Sequence, residues 1–216
     1  MNPPSHHPTE DVLLAYAAGG ATEAQSLLVA THLTYCPICR AQVRAFEDLG
    51  GMQLMENELH TVGPALLERT LSRLGEKLDP PEPAPPTSSL PEGAAWPTSL
   101  QPYLRGLRWR RAVPGVERIE LPINWDGEPV RVFRLRPGFT VPRHTHGGDE
   151  YQLVLQGGLW DLGEHFVVGD VATRDSSHVH ELKIDKDEPC ITLNVLSAPL
   201  VPKTLLGRII GLLAGV

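Results

Sequence analysis

Cysteine is scarce in this chain: three residues in 216, too few for a disulfide framework. Two of the three stand as Cys36-x-x-Cys39. In a reducing compartment that spacing points to a metal or a redox pair rather than to a staple. A surplus of positive charge is also missing. Nineteen Lys and Arg face 26 Asp and Glu, a net charge of −7. Without clustered bases, the nucleic-acid backbone is excluded as the main partner. No apolar run reaches the about 20 residues that cross a bilayer. The first 30 residues lack the basic segment followed by an apolar one that marks a signal peptide. No membrane association and a cytoplasmic location are therefore expected. The chain has no internal repeat, no phosphate-binding glycine loop and no nucleophile–base pair. What remains, 41% hydrophobic and 21% charged, is globular in composition and long enough for one large domain or two small ones.

Proline divides it. Prolines at 80, 81, 83, 85, 86, 91, 97 and 102 lie among Ala, Ser, Thr and Glu. Such a segment has no helical or strand period, and 79–102 reads as an extended, stiff linker. Residues 1–78 read as four helices. Thr9 precedes the first, which Gly19-Gly20 stops. Thr22 and Glu23 start the second, which runs to about Tyr35. Pro37 opens the third, to about Glu56, and Pro64 the fourth, to about Leu78. The fourth carries Leu66, Leu67, Leu71, Leu74 and Leu78 on one face. So small a bundle calls for a staple.

Residues 103–216 have β composition in short runs at Val116–Leu121, Val130–Leu135, Tyr151–Leu155, His165–Val168 and Cys190–Val195, bounded by glycine turns. That spacing predicts an antiparallel sandwich or barrel. The expected fold class is multi-domain α + β. The helical half is the more acidic, with 10 acids and 5 bases in residues 1–80 against 16 and 14 in the rest.

Within the helical half, His32-x3-Cys36-x2-Cys39 sets His32 and Cys36 on one helix face, and the turn at Pro37 brings Cys39 round to them. Two thiolates and an imidazole suit tetrahedral Zn²⁺, which wants a fourth ligand, and His6 or His7 can supply it. The competing readings are a metal-free redox pair or two ordinary cysteines. A redox Cys-x-x-Cys normally follows a strand, and none precedes this one. Zinc would also be the missing staple, since a structural site contributes on the order of 10 kcal/mol to folding.

This motif, with a histidine ahead of helix 1, resembles the zinc-binding anti-sigma factor domain. His6-His7, then Leu13-Leu14-Ala15-Tyr16-Ala17-Ala18-Gly19, then Val29-Ala30-Thr31-His32-Leu33, resemble more narrowly the ChrR group of anti-sigma factors. That group joins such a domain to a C-terminal cupin. The resemblance implies His7, nine residues before Tyr16, as fourth ligand beside His32, Cys36 and Cys39. It also implies a one-to-one complex with an extracytoplasmic-function sigma factor.

In the β half, Gly138-x5-His144-x-His146-x3-Glu150-x6-Gly157 is followed by Gly169-x10-His180. Alternate strand residues face one way, so His144 and His146 point together. Glu150 returns on the next segment, and His180 can come from a strand alongside. Three imidazoles and a carboxylate suit one divalent ion, Zn, Fe, Mn or Ni, with positions left open. Both halves resemble the two cupin motifs, which implies a double-stranded β-helix. Asp175 and Ser177 stand where that family usually has Pro and Gly, which bears on the turn more than on the ligands. His178 could share the face of His180, but the motif spacing favours His180.

His165 and His60 read as surface histidines, Cys190 as a small buried hydrophobe, and Leu205–Val216 as a short apolar helix packed on the barrel. Trp109, Trp125 and Trp160 are expected in the barrel or at its rim. The expected function is regulatory, not enzymatic. The helical half would hold the sigma factor, and the cupin would sense oxidative stress such as singlet oxygen, by resemblance. The rival readings are a metal-dependent cupin dioxygenase or isomerase, and a cupin that binds a small ligand without turnover.

Overall fold

A computed structural model describes residues 3–58, 60–74 and 89–204. The first three helices are α1 (Glu10–Ala17), α2 (Glu23–Tyr35) and α3 (Pro37–Glu56). Thr22 caps α2 in a full capping box with Gln25. Cys36 caps α3, its Sγ accepting the Cys39 N–H at 3.3 Å, and Pro37 fills the first helical position. Val12, Leu13, Ala24, Leu27, Leu28 and Val43 fill the space between these helices.

Eleven strands follow among the described residues: β1 (Arg110–Val113), β2 (Val116–Trp125), β3 (Glu128–Leu135), β4 (Thr140–His146), β5 (Glu150–Gln156), β6 (Gly158–Asp161), β7 (Glu164–Val167), β8 (Val171–Arg174), β9 (His180–Ile184), β10 (Cys190–Leu196) and β11 (Leu200–Pro202). They form two antiparallel sheets, ordered β1-β2-β3-β10-β5-β8 and β11-β4-β9-β6-β7. All five expected runs are strands. β4 and β9, on which the two histidine motifs needed to sit, pair His144 directly opposite His180.

Two expectations fail. The fourth helix, α4 (Pro64–Leu74 as far as described), does not join the bundle: none of its residues is buried, and Leu67 is 64% exposed. Its apolar face finds no partner among the described residues of this chain. The segment 79–102 is also not extended throughout. From Leu90 it packs, with Trp96 and Leu100 buried, and it ends in a one-turn helix, α5 (Gln101–Leu104). Trp96 Nε1–H donates to the Pro91 carbonyl at 2.6 Å, so its few apolar residues act as anchors. Trp160 points outward and stacks on His165, which pairs with Asp185 at 2.8 Å. His60 is exposed, and Leu205–Val216 lies outside the described residues.

One core runs through both halves. Leu27, Leu28 and Val29 of α2 belong to the same buried cluster as Ile119, Leu121, Leu153 and Val195 of the larger sheet. Tyr103 donates to Glu23 at 3.0 Å, and the hydroxyls of Thr31 and Ser99 meet at 3.0 Å. The helices are therefore seated on the barrel.

Candidate metal centres

His7, His32, Cys36 and Cys39 converge, each offering one ligand atom, with all four atoms within 4.8 Å of one another. His7 comes from the segment before α1, His32 and Cys36 from the end of α2, and Cys39 from the first turn of α3. His7 Nδ1 lies 3.4 Å from both sulfurs. His6 turns the other way, over Phe166 of the barrel, with ring centroids 4.2 Å apart. The structure thus brings in the second histidine of the pair.

The donor set suits a thiophilic cation. His32 Nδ1 is 2.7 Å from the Gly169 carbonyl, which can only accept, so the proton is on Nδ1 and the Nε2 lone pair is free. That Nε2 is buried without a hydrogen-bond partner among the described residues. Burial holds the His32 pKa down to about 4, against the partial support of the Gly169 bond, so the ring is neutral at pH 7. Burial, with Cys36 alongside, pushes the Cys39 thiol up to about 12. Two buried thiols, a neutral imidazole and an unpaired nitrogen are costly together until a dication compensates them. Zn²⁺ held here would act as a structural cross-link between the chain start and the α2–α3 corner.

The second cluster lies inside the barrel. His144, His146 and His180 place ligand atoms within 4.8 Å of one another, and all three are buried. His144 Nδ1–H donates to the Pro142 carbonyl at 2.9 Å, and His180 Nδ1–H to Asp161 Oδ1 at 2.7 Å. Both rings therefore turn Nε2 inward. His146 Nε2 is 2.8 Å from His180 Nε2 and 3.2 Å from Glu150 Oε2. Burial lowers the His144 pKa to about 4 and, with both neighbouring imidazoles, that of His146 to about 3. Glu150 flanks the trio, with Asn194 donating to it at 3.4 Å. His178 is turned away and pairs with Asp175 at 2.9 Å. The departure at Asp175 and Ser177 keeps a tight turn, with Asp175 Oδ1 accepting the Ser177 N–H at 2.8 Å.

Asp161 was not anticipated. Burial opposes its charge, but His180 and Arg174 outweigh that and hold its carboxyl below the usual range. Arg174 grips it at 2.7 Å, and its other oxygen fixes the His180 tautomer. Nothing local marks it, since Asp161 meets His180 only through the pairing of β6 with β9. Asp170 follows Gly169 just ahead of β8, and its fully buried carboxylate accepts the backbone N–H groups of Ser5 and His6. Cys190 is fully buried, and burial pushes its thiol up to about 12.

Burial also raises the Glu150 carboxyl to about 7. Below that pH the metal-free site holds a proton that an incoming dication must displace, so affinity rises with pH through about 6–7 and then levels off. With the helical centre already loaded, so that its thiols no longer contribute, titration calorimetry of the barrel site in buffers of different ionisation enthalpy should show about one proton released per ion near pH 6 and almost none near pH 8. Glu150→Gln should abolish the release. Equal proton counts at both pH values would remove Glu150 from the site.

The family described as the ChrR cupin-like domain matches residues 104–198. The anti-sigma-E factor ChrR of Cereibacter sphaeroides is 36% identical over 212 residues, covering 95% of each chain. Among solved structures, ChrR in the crystal structure of Rhodobacter sphaeroides SigE in complex with the anti-sigma ChrR superposes with a TM-score of 0.71 at 33% identity. That match covers 88% of this chain and 98% of that one.

Proposed function

The chain belongs to the family of ChrR anti-sigma factors, and from that premise we propose that it binds a cognate extracytoplasmic-function sigma factor one-to-one and withholds it from RNA polymerase. The observation that carries this reading is the unpartnered apolar surface of the helical half. Leu66, Leu67, Leu71 and Leu74 of α4, with Met52, Leu54 and Met55 at the end of α3, are all exposed. An apolar surface of that extent marks a protein interface, and the relative's own complex with a sigma factor supplies the class of partner. In this reading the helical half is residues 1–78, the joining segment 79–102, and the cupin half 103–216. Among the described residues no helix is long and apolar enough to cross a membrane, which fits work beside RNA polymerase in the cytoplasm.

Zn²⁺ on His7, His32, Cys36 and Cys39 would hold the helices in their binding arrangement. One divalent ion, Zn²⁺ before Fe, Mn or Ni, would occupy His144, His146, Glu150 and His180. The cupin half would then sense oxidative stress such as singlet oxygen, because imidazoles are oxidisable and a damaged ligand no longer binds its ion. Release of the sigma factor becomes a shift between bound and free populations.

Leu67→Glu with Leu71→Glu tests the interface. Both side chains are exposed, so thermal unfolding should stay within about 0.5 kcal/mol of the parent. A charge at the centre of an apolar interface costs about 2 kcal/mol or more each, so capture of the sigma factor should be lost. A retained complex would move the interface off α4. Failure of the parent chain to bind any co-expressed sigma factor would end the anti-sigma reading.

A second reading draws on the barrel interior. A cavity of about 80 Å³ lies against His144 and Glu150, walled by Val116, Phe133, Phe139 and Val141. It suits a small, mostly apolar ligand bound without turnover. Substrate-dependent oxygen uptake by the metal-loaded chain would instead establish an enzyme.

A further inference from the structure

We propose that the Gly169–Asp170 turn of the barrel positions both imidazoles of the helical cluster, so that the ion held there is retained by the barrel as well as by its own ligands. The inference rests on the reading of His7, His32, Cys36 and Cys39 as a metal site.

His32 is anchored across 137 residues of sequence. Its Nδ1–H donates to the Gly169 carbonyl at 2.7 Å, in a place where both groups are buried. That bond sets the tautomer and aims the unpaired Nε2 at the two sulfurs. A ring held this way keeps its lone pair directed, and such outer partners are typically worth 10–100-fold in metal affinity.

His7 is anchored through its neighbours. Asp170 Oδ1 accepts the N–H groups of Ser5 and His6 at 2.7 and 3.0 Å, while Oδ2 accepts that of Val167 at 2.9 Å. The Val171 N–H donates to the His6 carbonyl at 3.1 Å. Three main-chain bonds therefore tie residues 5 and 6 to the barrel, and the imidazole beside the sulfurs belongs to the very next residue. The freedom of this segment is surrendered when the chain folds rather than when the ion binds, which favours retention.

The approach at the turn is close. Gly169 has φ of +95°, and a Cβ there would stand 2.8 Å from Pro4 Cγ and 2.8 Å from Tyr35 Cβ. The turn is thus pressed between the N-terminal segment and the end of α2, the two pieces that bring the histidines. Five residues after Gly169, at the end of β8, stands Arg174, which grips the carboxylate that orients His180.

The test uses the full chain loaded with Co²⁺. Thiolate-to-cobalt charge-transfer absorption reports the centre bearing Cys36 and Cys39 and is silent to the cluster without sulfur. Its decay in excess EDTA measures retention. Asp170→Ala should speed the decay about tenfold or more. Ser5→Pro removes one N–H donor and leaves the barrel untouched, so it should act in the same direction by a smaller factor. Faster decay in both variants, with barrel unfolding unchanged, supports the proposal. If Asp170→Ala also destabilises the barrel, Ser5→Pro decides: decay at the parent rate there overturns the proposal. Parent-like decay in both variants overturns it outright. A parent chain that never develops the thiolate band overturns the metal reading beneath it, and the proposal with it.

Discussion

Replacing Cys36 by Ser is expected to abolish the zinc binding proposed for the helical centre and to unfold α1 and α3. The apolar core among the three helices rests on Val12, Leu13, Ala24, Leu27, Leu28 and Val43. A bundle that small supplies only about 3–5 kcal/mol by itself. A structural zinc site is worth about 10–16 kcal/mol in isolated finger peptides, more than that whole margin. Cys36 also contributes twice, as a ligand candidate and as the cap that receives the Cys39 N–H. α2 should survive in part, because Leu28 and Val29 share the barrel's core. The expected result is loss of about one bound zinc per chain, a drop in far-ultraviolet helical signal, fast amide exchange in α1 and α3, and no capture of the sigma factor. Parent-like helicity and capture in a zinc-free variant would show that the ion is not a staple.

Replacing His146 by Ala should have the opposite profile, leaving sigma capture intact while removing its regulation. His146 is buried at the middle of the barrel cluster, between His180 and Glu150. Losing an inner ligand should cost more than the about 10–100-fold that outer partners are worth, so the cupin metal should be absent after purification. Asp161→Asn removes the negative charge that both His180 Nδ1–H and Arg174 meet and leaves one neutral acceptor, so its effect should fall within that range. With the sensor emptied, the complex should no longer dissociate in response to photosensitised singlet oxygen. Dissociation at the parent rate would place the sensor elsewhere. Cys190 is a poor substitute, since a thiol pushed up to about 12 offers little reactive thiolate at neutral pH.

Much of this architecture is legible along the chain. The bounds of α2 and α3 follow from Thr22 and Pro37, because capping and fixed φ act within one turn of the backbone. The His32–Cys36–Cys39 constellation follows from the same local geometry, since i, i+4 residues share a helix face. The choice of His7 over His6 needed the family resemblance; in the structure the His7 ring stands beside the two sulfurs, while the His6 ring lies over Phe166. The strands lining the core were readable from β-branched runs. β6 and β8 were not, since four residues are too few to show a period, although β7, equally short, was legible from its composition.

The least legible features are those in which a group meets a partner far away in sequence. Amphipathic spacing in α4 correctly marks a helix, but periodicity is silent on what covers the apolar face, and here no described part of this chain does. Proline composition suggested an extended linker to 102, whereas burial of Trp96 and Leu100 outweighed it. Asp161 and Asp170 carry no local signature at all. The helices, the strand-rich second half and the residue types that could hold two ions can all be read along the chain. Folding adds the seating of α2 on the barrel, the hold of Gly169 and Asp170 on the segments that carry the first cluster's histidines, and the orientation of His180 by Asp161. The difference is one of range: propensity, capping and side-chain period act over a few residues, whereas the orientation of an imidazole is set by whichever acceptor folding brings to its other nitrogen.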